Sequence, residues 1–316
     1  MARIPAAVAA VRLAVRRSLP ADGLVLVACS GGADSLALAA AARFVGHAVG
    51  LVTVDHGLQD GSAARASGVA DWARSVGFDP VEIATVAVAG RPGGPEAAAR
   101  SARYEALSAV AATCGAAAVL LGHTRDDQAE TVLLALARGA GPRGLAGMPY
   151  RKGIFLRPLL DVSRADTRKA CAAQGLVPWD DPHNVDPAFA RSRVRGAALP
   201  ALVEALGPAV VANLARSAGQ IAADSAALDR LARSALLSAY ESNGLRISDL
   251  SEMVDAIRTR VLHAWAKELG ASGAALSHRH VQALDALITD WHGQGPVHLP
   301  GGIRVARERG RLVRVP

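Results

Sequence analysis

Two hydroxyls, two adjacent glycines and a carboxylate stand together near the start of the chain: Ser30, Gly31, Gly32, Ala33, Asp34 and Ser35. An apolar run precedes this phosphate loop and an alanine-leucine run follows it, so the sequence predicts that it joins a buried strand to a helix. Backbone N–H groups and the helix dipole favour an anion at such a junction, and glycines let the backbone approach phosphate closely. Asp34 would repel phosphate directly, so its presence predicts a Mg²⁺ ion between the carboxylate and the phosphate oxygens.

The alternative for the phosphate loop is an ordinary turn, with Asp34 merely solvating the helix start. Two adjacent glycines alone would favour that alternative, whereas the full Ser-Gly-Gly-x-Asp-Ser pattern after an apolar run favours phosphate. The loop matches neither G-x-x-x-x-G-K-[ST] nor G-x-G-x-x-G, which excludes a Walker A loop and a dinucleotide fingerprint.

Further polar residues follow two later apolar runs. Asp55 and His56 come after the second run, where ligands sit in open α/β sheets. His123, Asp127 and Glu130 come after the fourth, spaced i, i+4 and i+7, which predicts one face of a helix that begins there. Three interpretations of this trio stay open: a metal site, a solvated helix start, or a pocket for a cationic amine.

Four short apolar runs must position these groups: 24–28, 49–54, 81–88 and 117–121. Each is apolar nearly throughout rather than alternating, which indicates strands buried on both faces. Alanine-rich helical stretches separate them, so the sequence predicts a doubly wound, mostly parallel α/β sheet. Pro95 suits the first turn of a helix, and Ser163 is a plausible N-cap. From Gly207 the pattern is almost wholly helical, until Pro300-Gly301-Gly302 predicts the turn of a closing hairpin.

Composition bounds the possible partners and compartment. The 316 residues are 51% hydrophobic but only 3% aromatic, so alanine, valine and leucine must build the core. The net charge of +7 favours an acidic partner, with nucleic acid ahead of a membrane surface. The three cysteines are far apart and form no C-x-x-C pair, so we expect no disulfide framework or metal cluster and a reducing cytoplasm. We expect no membrane-spanning segment, and the Arg-rich start is typical of a first amphipathic helix.

Several motifs occur in the order found in one family. They are S-G-G-x-D-S, V-D-H-G-L, A-R-x-x-R-Y (residues 99–104), G-H-x-x-D-D-Q-x-E-T and R-G-x-G, followed by W-D-D-P-x-N and ARSRVR. The first resembles the PP-loop of ATP pyrophosphatases, and together they resemble the tRNA(Ile)-lysidine synthetase family. The resemblance is strong over residues 24–200 and looser beyond.

The resemblance implies an ATP-dependent ligase that joins L-lysine to C2 of the wobble cytidine in a CAU-anticodon tRNA(Ile). ATP would adenylate the cytidine at its C2 oxygen, and the lysine ε-amine would then displace AMP. The implied cofactors are ATP and Mg²⁺, with Mg²⁺ held by Asp34 and the pyrophosphate portion by the N–H groups of the phosphate loop. A membrane partner is not expected, and the oligomeric state is left open, with a homodimer as one alternative.

The resemblance also implies roles for individual residues. Asp127 and Glu130 would bind the α-ammonium of lysine, and His123 would assist proton transfer or position the nucleotide. The nucleotide-binding set would also include Asp55, Arg100 and Arg103, and Arg191 and Arg195 would bind substrate phosphate. Ser192 stands where many relatives carry asparagine, which loosens the last two assignments.

The implied domains are a PP-loop ATP-binding catalytic domain at 1–206, a linker helix at 207–235 and a small tRNA-binding domain at 236–316. Arginines crowd the final segment. Alternation along a hairpin predicts that Arg307, Arg309 and Arg311 share a face that grips tRNA phosphates, the alternative being a solvated edge.

Three rival functions stay open at the level of the sequence. A PP-loop tRNA-thiolating enzyme uses the same adenylation, but its sulfur transfer relies on paired cysteines or a cluster. An enzyme that adenylates a small metabolite fits the basic composition less well. A non-catalytic RNA- or nucleotide-binding module would not need Asp34, Asp127 and Glu130 intact.

Overall fold

The chain divides into two compact units, 1–221 and 222–316, and the division falls within one long helix. The computed structural model describes residues 4–46, 48–57, 61–87, 95–181, 186–273 and 275–316. Within these residues no single helix is long and apolar enough to cross a membrane, although the bent pair Ala190–Leu206 and Val210–Ala239 reaches the required length and composition together. The predicted boundaries at 206 and 235 stay predictions.

The first unit alternates strands with helices. Its strands are β1 Val25–Ala28, β2 Val49–Asp55, β3 Val81–Thr85, β4 Ala118–Leu121, β5 Arg151–Lys152 and β6 Phe155–Leu156. Its helices are α1 Ala6–Ser18, α2 Ala33–Val45, α3 Ser62–Ser75, α4 Pro95–Thr113, α5 Arg125–Ala137, α6 Pro142–Leu145, α7 Arg164–Ala173, α8 Ala190–Arg193 and α9 Leu199–Leu206, and α10 Val210–Ala239 leads into the second unit. A π-helical turn, Val194–Ala198, joins α8 to α9.

The six strands lie in the order β3-β2-β1-β4-β6-β5 and are parallel except for β5 against β6. Val25 of β1 lies opposite Val49 of β2 and Ala118 of β4. The chain therefore adds strands on one side of β1 and then crosses to the other side. That reversal makes the carboxyl ends of β1 and β4 the topological switch point, where open α/β sheets bind ligands. The predicted doubly wound α/β fold is confirmed.

Small aliphatic side chains cover both faces of this sheet. Val27 of β1 packs with the alanines and leucines of α2 and with residues of α1 and α7, whereas Leu26 packs on the opposite face with Leu107 of α4. Leu26, Leu38 and Leu107 have no exposed surface, and burial of each stabilises the unit by about 2 kcal/mol. The sheet is therefore held rigidly under the loops at its carboxyl edge.

The third apolar run departs from its prediction. Double-sided burial was expected across 81–88, but β3 is the edge strand, and Glu82 and Ile83 are exposed. An edge strand has only one neighbour, so apolar composition alone does not guarantee cover on both faces. Val88 lies outside the described residues. Two local predictions are confirmed: α4 begins at Pro95, and the Ser163 hydroxyl caps α7 by accepting from the Asp166 N–H.

The second unit packs helices on an antiparallel sheet. The helices after α10 are α11 Ile247–Glu252, α12 Asp255–Glu268 and α13 His278–Thr289; the strands, in the order β7-β8-β11-β10-β9, are β7 Tyr240–Glu241, β8 Gly244–Arg246, β9 Val297–Leu299, β10 Ile303–Glu308 and β11 Arg311–Val315. Trp265, Leu284 and Val305 lie in its core. The predicted hairpin is confirmed: Leu299 pairs with Ile303 across Pro300–Gly302. β7, β8 and a second hairpin, β10–β11, were not predicted.

The predicted arginine face in the last segment is wrong. Arg309 lies in the turn between β10 and β11 with a φ of 47°, so alternation does not continue through it. Arg307 donates to the Leu287 carbonyl and lies over the Trp291 ring, 5.3 Å from its centroid. Arg311 pairs with Glu241 at 2.9 Å. Only Arg309 of the three is exposed without a described protein partner.

Candidate functional site

A cavity of about 800 Å³ opens at the carboxyl edge of the sheet. Residues that follow β1, β2 and β4 line it together with parts of α3, α4, α7 and the 179–181 segment. The lining includes most of the predicted residues: Ser30, Gly32, Ala33, Asp34, Ser35, Asp55, Arg103, His123, Asp127, Arg191 and Arg195. Glu130 and Arg100 are not part of this wall. The cavity therefore lies at the switch point that the strand order defines.

The phosphate loop turns from β1 into α2 as predicted. Gly31 adopts a φ of 83°, which only glycine adopts readily, and Gly32 precedes the helix without a side-chain cap. Ser35 holds the turn closed: its hydroxyl donates to the Gly32 carbonyl at 2.9 Å and accepts from the Ser30 N–H at 3.2 Å. The first N–H groups of α2 therefore lack a side-chain acceptor at the start of the helix, which is the arrangement that binds an anion.

Asp34 lies in the first turn of α2, beside helix α7. Thr167 donates its hydroxyl to Asp34, and Arg164 Nε lies 3.7 Å from the same carboxylate. Burial raises the pKa of Asp34 to about 6, against the lowering effect of the Thr167 hydrogen bond. A single carboxylate beside a phosphate loop is the kind of site where Mg²⁺ binds with phosphate oxygens completing its shell. The residues present therefore fit a Mg²⁺ ion. No group of three His, Cys, Asp or Glu in the described residues forms a metal site independent of phosphate.

Asp127 caps helix α5 and also faces the arginines. Its Oδ2 accepts from the Thr124 N–H at 2.8 Å and from the Thr124 hydroxyl at 2.9 Å. Its Oδ1 accepts from Arg164 at 3.0 Å and from Arg195 at 3.3 Å. Burial acts to raise the pKa of Asp127, but Arg164 and the Thr124 hydrogen bond outweigh it, so the net pKa is lowered. The carboxylate is therefore held ionised.

Glu130 follows one turn later on α5 and has no exposed surface. Its Oε1 accepts from Arg195 Nε at 2.8 Å and from Arg164 Nη2 at 3.0 Å. Its Oε2 accepts from Arg191 Nε at 3.0 Å and from Arg195 Nη2 at 3.1 Å. These arginines line the cavity, and Glu130 itself does not. Three guanidiniums thus stand between Glu130 and the space where a substrate would bind.

The prediction that His123, Asp127 and Glu130 share one helical face is wrong for His123. It lies in the β4–α5 connection, before the N-cap Thr124, so the helical face includes Asp127 and Glu130 but not His123. Burial lowers the pKa of His123 to about 3, even though Asp127 acts to raise it, so the imidazole is neutral near pH 7. Neither His123 Nδ1 nor His56 Nδ1 has a hydrogen-bond partner in the described part of the chain.

The other predicted nucleotide-binding residues separate into two groups. Asp55 lines the cavity but accepts the Gly57 N–H at 3.0 Å, and hydrogen bonds from Ser62 and Gly57 lower its pKa. Arg103 also lines the cavity, and burial lowers its pKa. Arg100 instead donates to the Tyr104 hydroxyl at 3.3 Å on the exposed side of α4. The structure therefore brings Asp55 and Arg103 to the site but not Arg100.

Four residues of the site were missed by sequence reasoning: Arg164, Thr167, Arg65 and Trp179. Arg65 stacks on the Trp179 ring at 3.4 Å from its centroid, and the Trp179 N–H donates to the Gly31 carbonyl. Arg164 and Thr167 reach across from α7. Their partners lie more than 30 residues away along the chain, so no local spacing could have shown them. Trp179 belongs to a recognised motif, W-D-D-P-x-N, which was a usable signal.

The ion-paired cluster and the phosphate loop form two chemically different parts of the site. Three carboxylates, Asp34, Asp127 and Glu130, face three guanidiniums, Arg164, Arg191 and Arg195. The phosphate loop and Asp34 suit a magnesium-bound polyphosphate, whereas the arginines suit phosphate oxygens or carboxylates. Such a site can activate an oxygen nucleophile by transfer of a nucleotidyl group.

Comparisons with known proteins agree with this geometry. A PP-loop domain family matches residues 10–202, and a TilS substrate binding domain family matches residues 245–313. The tRNA(Ile)-lysidine synthase of Salinispora tropica is 64% identical over all of this chain and 98% of its own length. That of Thermobifida fusca is 54% identical over 98% of each chain. Among solved structures, the U34-tRNA thiolase NcsA from Methanococcus maripaludis, with its [4Fe-4S] cluster, superposes with a TM-score of 0.55 at 17% identity, over 68% of this chain and 80% of its own, which shows a shared fold.

Proposed function

The chain belongs to the tRNA(Ile)-lysidine synthase family, and on that premise we propose how its cavity carries out the reaction. It is an ATP-dependent ligase that forms lysidine on tRNA(Ile). The observation that carries the proposal is that one cavity holds the phosphate loop, Asp34 and the carboxylate–arginine cluster. The thiolase alternative rests only on a shared fold and is not favoured.

We assign the first half-reaction to the phosphate loop. The C2 oxygen of the wobble cytidine attacks the α-phosphorus of ATP, the bond to the β-phosphate oxygen breaks, and pyrophosphate leaves. The N–H groups at the start of α2 bind the pyrophosphate portion, and Asp34 would hold Mg²⁺. When bound, Mg²⁺ supplies neutralisation of the phosphate charge. Thr167 holds the Asp34 carboxylate in place, and Arg103, which also lines the cavity, stabilises phosphate charge.

We assign the second half-reaction to the α5 side of the cavity. The lysine ε-nitrogen attacks C2, the bond from C2 to the adenylate oxygen breaks, and AMP leaves while the nitrogen loses a proton. Asp127 and Glu130 bind the α-ammonium of lysine, which positions its other end toward the cytidine. Neutral His123, at the end of β4, positions the nucleotide or accepts the proton.

The decisive experiment is mass spectrometry of wobble nucleosides in CAU-anticodon tRNA(Ile) treated with the protein, ATP, Mg²⁺ and lysine. We expect lysidine, with one AMP and one pyrophosphate released per modified nucleoside. Omission of lysine should leave adenylated tRNA, and omission of Mg²⁺ should leave unmodified tRNA. A cytidine that stays unmodified in the complete reaction would contradict the proposal.

Two variants separate the half-reactions. Asp34→Ala should abolish AMP transfer to tRNA yet spare tRNA binding, because it removes only the magnesium ligand. Asp127→Asn should still form adenylated tRNA but raise the KM for lysine at least tenfold, because a neutral amide loses the charge that attracts the ammonium. Wild-type AMP transfer by the first variant, or an unchanged KM in the second, would overturn the corresponding role.

We also propose a cytoplasmic location, since the substrates, tRNA and ATP, are there. The homodimer stays a prediction that sedimentation can test.

A further inference from the structure

The carboxylates assigned to the lysine ammonium already have partners in the structure. Glu130 Oε2 accepts from Arg191 and Arg195, and Asp127 Oδ1 accepts from Arg164 and Arg195. Glu130 is fully buried behind these side chains. An ammonium can hydrogen-bond to Glu130 only where a guanidinium has withdrawn. Lysine and the arginines therefore compete for the same oxygens.

The three arginines differ in how firmly they are held. Arg164 is anchored at its backbone, because its N–H donates to Asp126 at 2.8 Å, and its guanidinium bridges Asp127 and Glu130. Arg191 and Arg195 come from α8 and the π-helical turn, and 27% of each side chain is exposed toward the cavity. π-Helical turns are frequent at functional sites. The Arg164 side chain is less exposed, at 19%. Arg191 Nη2 also donates to the Thr131 hydroxyl at 2.9 Å and to the Asp127 carbonyl at 3.3 Å. Arg191 and Arg195 are thus the more exposed guanidiniums that a ligand in the cavity can draw away, and Arg191 must give up these two further hydrogen bonds when it moves.

The charges of the cluster indicate which ligand would draw Arg191 and Arg195 away from the carboxylates. The cluster of three carboxylates and three guanidiniums is neutral, so an added ammonium would leave a net positive charge in a largely buried site. A triphosphate brings several negative charges into the cavity that Arg191 and Arg195 line. Guanidiniums bind phosphate oxygens as well as they bind carboxylates. Their transfer to phosphate would expose Glu130 Oε2 and restore charge balance for an ammonium.

We propose that Arg191 and Arg195 act as resident counter-ions of Glu130 and Asp127 that Mg-ATP must draw onto its phosphates before lysine can bind. Nucleotide binding then precedes and enables amino acid binding. This inference rests on the proposed lysine role of Asp127 and Glu130. Because coupling between two ligands is reciprocal, lysine must tighten nucleotide binding by the same factor that nucleotide tightens lysine binding.

Calorimetry on the full chain tests the order. Lysine is titrated into the protein alone and into the protein saturated with Mg²⁺ and α,β-methylene-ATP, which cannot be cleaved between its α- and β-phosphates. We expect lysine affinity to be at least tenfold tighter with the nucleotide, a coupling of about 1.4 kcal/mol. In the reverse titration, saturating lysine should tighten nucleotide binding equally.

The variant Arg195→Met gives a result that a merely structural role would not. It removes the side chain that contacts both carboxylates, while Arg164 and Arg191 still neutralise Glu130. Lysine should then bind about tenfold more tightly than wild type without nucleotide, and nucleotide should tighten it less. Arg191→Met should shift lysine affinity the same way. The matched control is Arg193→Met, and it should behave as wild type. Within the described residues, the exposed Arg193 guanidinium donates to the Pro187 and Ala188 carbonyls and to neither carboxylate.

The outcomes distinguish failure of the proposed binding order from failure of the proposed lysine site. Equal lysine affinity with and without nucleotide in wild type would overturn the proposed order and leave the lysine site intact. Weaker lysine binding by Arg195→Met without nucleotide would likewise overturn it, because the arginine would then be a lysine-site residue rather than a competitor. Absence of lysine binding in every arm would overturn the proposed lysine role itself.

Discussion

Glu130 shows how strongly one buried charge depends on its neighbours. Its two oxygens accept four hydrogen bonds from three guanidiniums, which offset the loss of hydration. The sequence placed Glu130 and Asp127 on one helical face, because i, i+3 spacing is a local property. The arginines that complete the cluster come from segments 34 to 68 residues farther along the chain, so only the fold shows them.

We expect Glu130→Gln to destabilise the first unit by about 3 kcal/mol, because removal of one buried partner leaves guanidinium charge uncompensated. In thermal unfolding, the midpoint of that unit should fall by roughly 6–12 °C. Asp180→Asn is the control: Asp180 pairs with Arg168 at 2.8 Å, but the two side chains are 76% and 59% exposed. That variant should change stability by less than about 1 kcal/mol. Equal shifts of the unfolding midpoint in the two variants would contradict the prediction that the carboxylate–arginine cluster stabilises the first unit.

The burial of His123 predicts that the folded protein loses stability in acid. The pKa of His123 is about 3 in the fold, below the ordinary value of 6.5, because of burial. Well above pH 6.5 the imidazole is almost entirely neutral in both states and contributes little to the pH dependence of stability. Below pH 6.5 the unfolded chain gains a proton that the folded chain does not, so stability falls as pH decreases toward 3. At pH 5.5 this loss is about 1 kcal/mol.

Urea unfolding of wild type and His123→Gln at pH 7.5 and 5.5 measures this term. The variant should lose about 1 kcal/mol less than wild type between the two values. Identical losses would show that His123 is protonated as readily in the fold as in the unfolded chain.

At the scale of elements, strands that lie within long apolar runs were easier to predict from the sequence than strands of two or three residues. The apolar runs located β1, β2 and β4 within one residue at each end, whereas the run 81–88 extends past the end of the edge strand β3 at Thr85. The strand order and the antiparallel β5 depend on packing between distant segments, and β5–β8 span only two or three residues each, too few for a periodic pattern. The second hairpin was hidden because Arg309 and Gly310 turn the chain within an apparently alternating run.

Gly122 directly follows β4 and lies close to the backbone at the start of α2. A Cβ on Gly122 would lie 3.1 Å from the backbone N and Cα of Ser35 and 3.2 Å from the carbonyl carbon of Asp34. Backbone atoms yield little, so Gly122→Ala should push the start of α2 away and misplace its N–H groups. We expect the Kd for Mg²⁺ and α,β-methylene-ATP to rise about tenfold.

Gly219→Ala is the matched control for Gly122→Ala. Gly219 lies in α10 with open space around it, and the substitution should leave nucleotide affinity unchanged. Wild-type affinity in Gly122→Ala would mean that the loop tolerates displacement.

At the scale of the whole molecule, charge is not concentrated in the second unit. Residues 222–316 carry 12 lysines and arginines against 10 acidic residues, an excess of +2, so +5 of the net +7 belongs to residues 1–221. The total charge predicts an acidic partner. Because the second unit carries an excess of only +2, its contribution to tRNA binding must be tested at individual exposed arginines.

Arg304, Arg309 and Arg314 are the exposed arginines of β10, the following turn and β11, and of these the Arg304 guanidinium donates to the Pro316 carbonyl at 2.8 Å. We expect replacement of Arg309 and Arg314 together by Gln to weaken binding of full-length tRNA and to reduce the slope of log affinity against log salt by roughly 1.4 to 1.8, if each contacts one phosphate. Filter binding at several salt concentrations measures both quantities. The paired variant Arg307→Gln and Arg311→Gln, whose guanidiniums already contact protein groups, should keep the wild-type slope. Equal salt slopes in wild type and both variants would show that the β10–β11 hairpin is a solvated edge that does not contact tRNA phosphates.

The contact between Asp34 and Thr167 spans 133 residues, and α7 also touches the loop through the Cys171 thiol on the Ala33 carbonyl. Translation delivers the chain in order, at about 5–20 residues per second, so the loop leaves the ribosome roughly 7 to 27 s before helix α7 does. During that interval β1, β2 and β4 can already pair, but Asp34, the carboxylate proposed to hold Mg²⁺, has none of its α7 neighbours. The growing polypeptide therefore completes the surroundings of Asp34 only after helix α7 has been made, and we expect the nascent chain to gain a competent ATP site no earlier than that.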